Sequence, residues 1–382
     1  MAGGGACGDD QRPTLAALPC GWTLPATQET KRFGDTMKRK LLVPGAMLFA
    51  CAGAYAQSAV WLSGYVDLNI EHLIQSGPAS VTRMTSGGLN NSRFNLSGVE
   101  DLGGGYKAVF TIEPMFSADT GVQSAQFRQS FVGLKSADLG EVTMGRQFTP
   151  SYWIAGYADP SWAAAYSMVN NMEFFYASYR VDNAIQYKTP TFYGFTGRVM
   201  YAFGLEDTTR AGRFLSIGVD YRNGPLFLGA VSEQQYTRDI HQASQIPSSR
   251  DNYFSAVYRI GGFEPTAIFH TYKGYYAYPP YVAFNSSGWD AQIGARWNID
   301  GRSRLYGSVV YRHDDNNKSI TSATGFVIGY IYGLSKRTDL YATYAHVHNQ
   351  NTVPIAYPVT FQSNPSPGQN PSGMQLGIRH AF

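Results

Sequence analysis

Residues 140–190 read GEVTMGRQFTPSYWIAGYADPSWAAAYSMVNNMEFFYASYRVDNAIQYKTP. The stretch begins as a strand (Glu141 to Phe148) and ends as one (Asn183 to Lys188). Between them, residues 149–180 form the longest connection in the chain without a strand pattern of its own. A connection of that length in a compact protein is either functional or disordered. Its Tyr, Trp, Phe, Met and Ala content argues against disorder, because disordered segments lack apolar area to bury. A long, aromatic loop on a β framework needs a concave surface to pack on. It therefore reads as a loop folded into the lumen of a barrel, where it narrows the hole.

The composition agrees. The chain has 382 residues, 44% hydrophobic and 15% charged, with 41 Gly and 27 Tyr and no long helix-forming blocks. That balance points to an all-β protein. A formal net charge of +3 gives no electrostatic ground for nucleic acid as a partner. After residue 56 no stretch approaches the roughly 18–20 consecutive apolar residues of a membrane helix. A membrane protein built without such helices is a closed barrel, since lipid cannot satisfy an open sheet edge.

Met37-Lys38-Arg39-Lys40, the apolar run Leu41 to Gly53 and Ala54-Tyr55-Ala56 make a secretory signal peptide, residues 37–56, with cleavage expected after Ala56. Residues 1–36 then read as an upstream extension from a misassigned start, the rival being a genuine leader. Cys7, Cys20 and Cys51 all precede residue 57, so the exported chain crosses an oxidising compartment without thiols. Residues 57–382 carry 24 Lys/Arg against 23 Asp/Glu. Any selectivity must come from where the charges sit.

From Gln57 on, segments of about ten residues alternate small or polar with apolar or aromatic side chains, the pattern of membrane strands. Strands are expected at 59–71, 91–101, 105–117, 125–135, 141–148, 183–190, 194–206, 213–223, 225–236, 252–261, 263–273, 288–299, 302–313, 324–334, 337–348 and 373–382. The count is sixteen, and an even count is what a bacterial antiparallel barrel requires. Leu102-Gly103-Gly104, Asn223-Gly224, Gly261-Gly262 and Asp300-Gly301 are tight hairpin turns. The connections 72–90, 149–182, 237–251, 274–287 and 349–372 are long. Short turns at one end and long loops at the other give the asymmetry of a bacterial outer-membrane barrel. Met374, Leu376, Ile378 and Phe382 share a face of the final strand, which suits lipid and offers a terminal aromatic to barrel-assembly machinery.

Four motifs carry a family resemblance: Ser92 to Gly105 (SRFNLSGVEDLGGG), Phe127 to Leu134 (FRQSFVGL), Thr143 to Pro150 (TMGRQFTP) and Tyr332 to Thr338 (YGLSKRT). In this order they resemble the Gram-negative general porins, especially the β-proteobacterial type, over Gln57 to Phe382. The resemblance implies a homotrimer of sixteen-stranded transmembrane barrels, each with its third external loop folded inward. Small hydrophilic solutes and ions would pass by diffusion, without a cofactor.

Period two gives the facing. Phe94 and Leu96 share one side and Arg93, Asn95 and Ser97 the other; Phe127 and Phe131 lie opposite Arg128 and Ser130. A charge facing lipid at the bilayer midplane costs about 2–4 kcal/mol, so Arg93 and Arg128 are expected in the lumen. Arg180 ends the long loop. By resemblance these three form an arginine ladder opposite the inward loop; the plainer reading is three ordinary lumen charges. The acidic half of such a constriction falls to Asp159 and Glu173, with Asp182 just beyond. The loop lacks the Pro-Glu-Phe-Gly-Gly stretch of enterobacterial porins, so which acid reaches the narrowest point stays open. Three arginines against two acids predict a weak anion preference, with an unselective pore as the alternative. Arg146 shares its face with Val142, Met144 and Phe148, which places it outward, where a subunit contact can pair it. In related porins the matching arginine meets a neighbouring subunit, and a lone rim arginine is the alternative.

His346 and His348 share a strand face without an accompanying Cys or carboxylate cluster, so they carry no metal assignment. Gly103-Gly104-Gly105 is a turn, since no helix follows. No nucleophile motif stands out. A substrate-specific channel using Tyr152, Trp153, Tyr157, Trp162 and Tyr166 as an aromatic slide, a barrel-type outer-membrane hydrolase, and a surface adhesin remain as rival readings.

Overall fold

The computed structural model describes residues 58–77, 79–172, 179–206, 208–237, 246–276, 284–315, 322–350 and 356–382, leaving aside the side chains of residues 275–276 and 284–286. The leader read at 1–36 and 37–56 lies outside the described residues.

The first half of the chain runs β1 (Ala59–Ile74), β2 (Val81–Ser86), β3 (Arg93–Gly103), β4 (Tyr106–Glu113), β5 (Gln129–Ser136) and β6 (Gly140–Phe148). Helix α1 (Pro150–Ile154), a 3-10 turn at Gly156–Ala158 and helix α2 (Met168–Asn171) follow. Then come β7 (Arg180–Lys188), β8 (Phe195–Phe203), β9 (Arg213–Asn223), β10 (Leu226–Tyr236), β11 (Ser248–Tyr258) and β12 (Phe263–Tyr276). The chain finishes with β13 (Phe284–Asn298), β14 (Ser303–Asp314), β15 (Ala323–Gly333), β16 (Thr338–Asn349) and β17 (Ser372–Ala381). From β3 to β17 each strand pairs antiparallel with the next, and β1 closes on β17 with Tyr65 opposite Ala381. Closure leaves no edge, which a lipid environment demands.

Seventeen pieces make a barrel of sixteen strands. β2 pairs with Leu68–Leu73 of β1, and β3 pairs with Ala59–Tyr65 of the same strand. Together they are one barrel strand, broken at residues 87–92. The buried Asp67 organises the break: its carboxylate accepts the backbone N–H groups of Gly88, Leu89 and Asn90 at 3.1, 2.9 and 2.8 Å. Three satisfied donors make it favourable for the chain to leave the ladder there. The sequence reading had all of 72–90 as loop; the strand at 81–86 is too short to show a period, and its partner is fixed by the far end of β1.

Along the strands, burial alternates as a membrane barrel requires. On β9, Phe214, Ser216 and Asp220 are buried while Leu215, Ile217 and Val219 are exposed. The exposed face is the apolar one, the reverse of a soluble sheet. Phe94, Leu96, Met374, Leu376 and Ile378 follow the rule as expected. Phe382 exchanges backbone hydrogen bonds with Gly64 of β1 (3.1 and 3.2 Å), and its ring fills the space a side chain at 64 would need: a Cβ there would lie 2.5 Å from Phe382 Cζ.

Two facing expectations are corrected. β5 begins only at Gln129, so Gln129, Phe131 and Gly133 share the covered face while Ser130, Val132 and Leu134 are exposed. Arg128 is buried because it sits on a bend before the strand, not because of strand parity. Phe148, expected outward, is 1% exposed. Between β6 and β7 the register shifts from Gly145↔Ala184 to Gln147↔Val181, so Asp182 and Asn183 oppose the single Arg146. Such a bulge bends the ladder and re-aims the residues beyond it. Gly145 permits the close approach, at φ +131 and with a would-be Cβ 2.2 Å from Ser130 O.

Candidate functional site

Glu113, at the end of β4, is the carboxylate around which two of the expected arginines gather. Arg93, opening β3, places Nε 2.6 Å from Glu113 Oε1, and Arg128 Nε lies 3.4 Å from the same oxygen. Gln129 Nε2 donates to the other oxygen at 3.0 Å, and Arg128 N donates to the Glu113 carbonyl at 2.8 Å. Arg180 opens β7 directly opposite Phe148. The Phe148 ring is shared: Arg128 Cζ stands 5.0 Å from its centroid and Arg180 Cζ 5.6 Å. Arg93 in turn lies 4.5 Å over the Tyr65 ring. The structure therefore brings Arg93, Arg128 and Arg180 together, the first two on the Glu113 carboxylate and the third across the Phe148 ring from Arg128. None is an open lumen charge, for they are 3%, 0% and 8% exposed.

The expected acid Asp159 is engaged within its own loop. Asp159 is wholly buried, and its carboxylate accepts from Ser161 Oγ (2.7 Å), Ala163 N (2.6 Å), Ser167 Oγ (2.8 Å) and Ser161 N (3.3 Å). Burial pushes its carboxyl above the ordinary range, against those four hydrogen bonds. It staples the loop to itself. Glu173 lies outside the described residues. Asp182 pairs with Arg146 Nη1, while Arg146 Nε donates to the Phe127 carbonyl at 2.6 Å. Arg146 sits opposite Ser130 in register, beside Met144↔Val132, so it lies on the exposed side of the sheet with a partner from its own chain. Glu113 lies on a strand, outside the long loop to which the sequence points for acids. The available signal was parity: Glu113 lies opposite in phase to the exposed Ile112.

Across the barrel the ends of the long loop are tied to β9–β14. Ser151, in α1, donates through N (3.2 Å) and Oγ (3.0 Å) to Glu233, which also accepts from Ser216 Oγ at 2.9 Å. At the other end Arg312 Nη1 donates to the Met172 carbonyl at 3.2 Å and to Asp290 Oδ1 at 3.2 Å. His270 stands between Asp290 (2.8 Å from Nδ1) and Asp251 (3.2 Å from Nε2). Glu233↔Asp251, His270↔Asp290 and Asp290↔Arg312 are direct cross-strand partners, and all these side chains are buried. Ile154, Ala158, Tyr166, Met168 and Met172 pack with Phe227, Val231, Ile268, Val310 and Val327 in one apolar cluster.

The loop aromatics are engaged. Tyr152 stacks on Phe148 (3.9 Å, 11°), and Tyr166 OH donates to Glu71 at 3.0 Å. Arg222 lies 4.6 Å over Tyr157 and Arg296 lies 4.7 Å over Trp162. His346 Nδ1 lies 2.8 Å from Ser372 Oγ. Among the described residues no group of three or more His, Cys, Asp or Glu is arranged to hold a metal ion.

Comparison with known proteins agrees with this geometry. The family model described as Gram-negative porin matches residues 45–352. Outer membrane porin protein 32 of Delftia acidovorans is 30% identical over 370 residues, covering 90% of this chain and all of that one. An outer membrane porin protein of Bordetella pertussis is 29% identical over 405 residues, again covering 90% of this chain and all of its own. Among solved structures, the anion-selective porin from Comamonas acidovorans matches with a TM-score of 0.74 at 26% identity, over 85% of this chain and 100% of that one. The trimer form of OmpT from Vibrio cholerae matches with a TM-score of 0.65 at 14% identity, a likeness of fold alone, over 85% of this chain and 99% of that one.

Proposed function

The chain belongs to the Gram-negative porin family, and from that premise we propose that it is a general-diffusion channel with a weak preference for anions. It is an outer-membrane porin; what is proposed is how it selects. The long third loop folds into the lumen and narrows it, a reading supported by its apolar packing and by its ties to Glu233 and Arg312. The observation that carries the anion preference is the gathering of Arg93, Arg128 and Arg180 in one place, two of them on Glu113 and the third at the Phe148 ring. Two charges ~4 Å apart interact by ~4 kcal/mol near a protein surface against ~1 kcal/mol in bulk water. With residues 57–382 nearly neutral, that local excess decides the sign.

Glu113 supplies an acidic partner to these arginines, while Asp159 is held within its own loop. The relative titled anion-selective agrees in sign. The channel assembles as a homotrimer, a reading supported by the relatives' family and by an apolar exposed face on β1 and β17. Arg146 with Asp182 sits at the subunit contact. The mature chain starts at Gln57, after removal of residues 37–56 as a signal peptide. The loop aromatics are stacked or hydrogen-bonded, so no observation favours the aromatic slide of a substrate-specific channel. Planar-bilayer conductance in a KCl gradient tests the reading. A reversal potential of anion sign is expected, and one of cation sign overturns it.

A further inference from the structure

Two carboxylates near the short-turn end of the barrel are each shared by a covered arginine and a half-exposed one. Asp220 of β9 accepts from Arg198 Nη1 and, at 3.1 Å, from Arg222 Nε. Glu264 of β12 accepts from Arg259 Nε at 2.6 Å and stands 3.2 Å from Arg296 Nε. The Arg198 and Arg296 side chains are 11% exposed, against 46% for Arg222 and 56% for Arg259. A guanidinium held at Nε keeps the edge between its two terminal nitrogens for a second acceptor, and that edge matches an oxyanion. Tyr157, in the 3-10 turn of the long loop, brings the half-exposed pair together. Arg222 Cζ lies 4.6 Å from its ring centroid, and Arg259 donates to its hydroxyl. The backbone agrees: Arg259 N donates to the carbonyl of Pro225, in the turn that follows Arg222, at 3.0 Å. The turns at 223–225 and 259–262 lie wholly within the described residues. Short turns mark the periplasmic end of such a barrel.

We propose that Arg222 and Arg259, with Tyr157 between them, form a binding site for a small oxyanion of the phosphate class at the periplasmic mouth, apart from the cluster at Glu113. Arg198 and Arg296 hold the two carboxylates, and the carboxylates fix the half-exposed pair. The site needs no excess of charge, only guanidinium donors that reach water. The oxygens of a phosphate can accept from both guanidinium groups at once, whereas a monocarboxylate fills one. Arginines lining a pore suit it to anions and phosphate.

The test measures single-channel current of the exported protein in fixed KCl while inorganic phosphate or acetate is titrated on both sides. A saturable block by phosphate is expected in wild type, at lower concentration than any block by acetate. Arg222→Gln and Arg259→Gln should each raise the half-blocking phosphate concentration roughly 3- to 10-fold, the scale of one hydrogen bond to a charged group at a wet site. Asp220 keeps Arg198 and Glu264 keeps Arg296 in these variants, so neither acid is stranded. Arg210→Gln, the same change of charge on the connection after β8, should leave the block unmoved. Absence of a saturable block in wild type, an unchanged block in both variants, or equal block by acetate overturns the site. An equal rise in Arg210→Gln assigns the effect to overall charge and overturns it too. Should Arg222→Gln fail to fold, because its side chain also covers the Phe227 ring, Arg259→Gln alone decides. The reversal potential in KCl without phosphate tests the selectivity reading separately, so either can fail while the other stands.

Discussion

The two sides of this barrel spend buried charge in opposite ways. On the side built from β3 to β7, Arg93, Arg128 and Arg180 gather at Glu113 and at the rings of Tyr65 and Phe148. On the side built from β10 to β14, Glu233, Asp251, His270, Asp290 and Arg312 run strand by strand and are hydrogen-bonded to one another or to the loop. Both sets of side chains are buried. What differs is the arrangement: the second side ties the loop to the wall through a run of cross-strand partners, while the first clusters its arginines at one acid and two rings. A buried arginine is therefore no guide to function until its partners are counted.

The largest expected effect breaks the fastening. Arg312→Met removes the donor to Met172 and leaves Asp290 with His270 as its partner; losing one partner of a buried pair costs up to about 3–5 kcal/mol. Local release of the loop is expected, read as a larger single-channel conductance and new protease sensitivity within 149–172, with the barrel still folded by heat-modifiable mobility on gels. An unchanged conductance would mean the belt does not hold the loop. Next comes Arg128→Ala, expected to move the reversal potential toward cations by several-fold in permeability ratio. Arg210→Ala, on the connection after β8, should leave it unmoved at physiological salt, where the Debye length is ~8 Å. Equal shifts would erase the distinction between the two kinds of charge. Smaller and of opposite sign, Glu113→Gln should strengthen the anion preference, muted because Arg93 and Arg128 then repel and move apart. Smallest is Arg146→Ala. Its partner Asp182 is in the same chain and both side chains are about a quarter exposed, so trimer stability should fall by at most about 1 kcal/mol, measured as a lower dissociation temperature in mild detergent.

Much of the framework is legible in the sequence, because a period of two survives any local irregularity long enough to count strands. What fails is phase. Phe131, Arg128 and Phe148 were mis-aimed or rightly placed for the wrong reason, since a bend before β5 and a bulge at Arg146 each reset the alternation by one residue. The arginines could be singled out as charges on membrane strands, but Glu113 could not be matched to them without the register of β4. The belt was invisible for a related reason. Asp251, His270, Asp290 and Arg312 are separated by about one strand and one turn each, a spacing that fits no motif. Only cross-strand pairing makes them neighbours.

The clasp between Gly64 and Phe382 bears on how the molecule comes into being. Every other seam joins strands adjacent in sequence, so hairpins zip in order. The seam of β1 with β17 unites opposite ends of the chain. Closing a loop roughly a hundredfold longer than a turn costs only about 4 kcal/mol more, so thermodynamics permits it easily. Timing is the constraint, because non-local pairings form slowly. Until the ring of Phe382 seats on Gly64, both terminal strands present open edges. Closing this seam is the step that completes the cylinder.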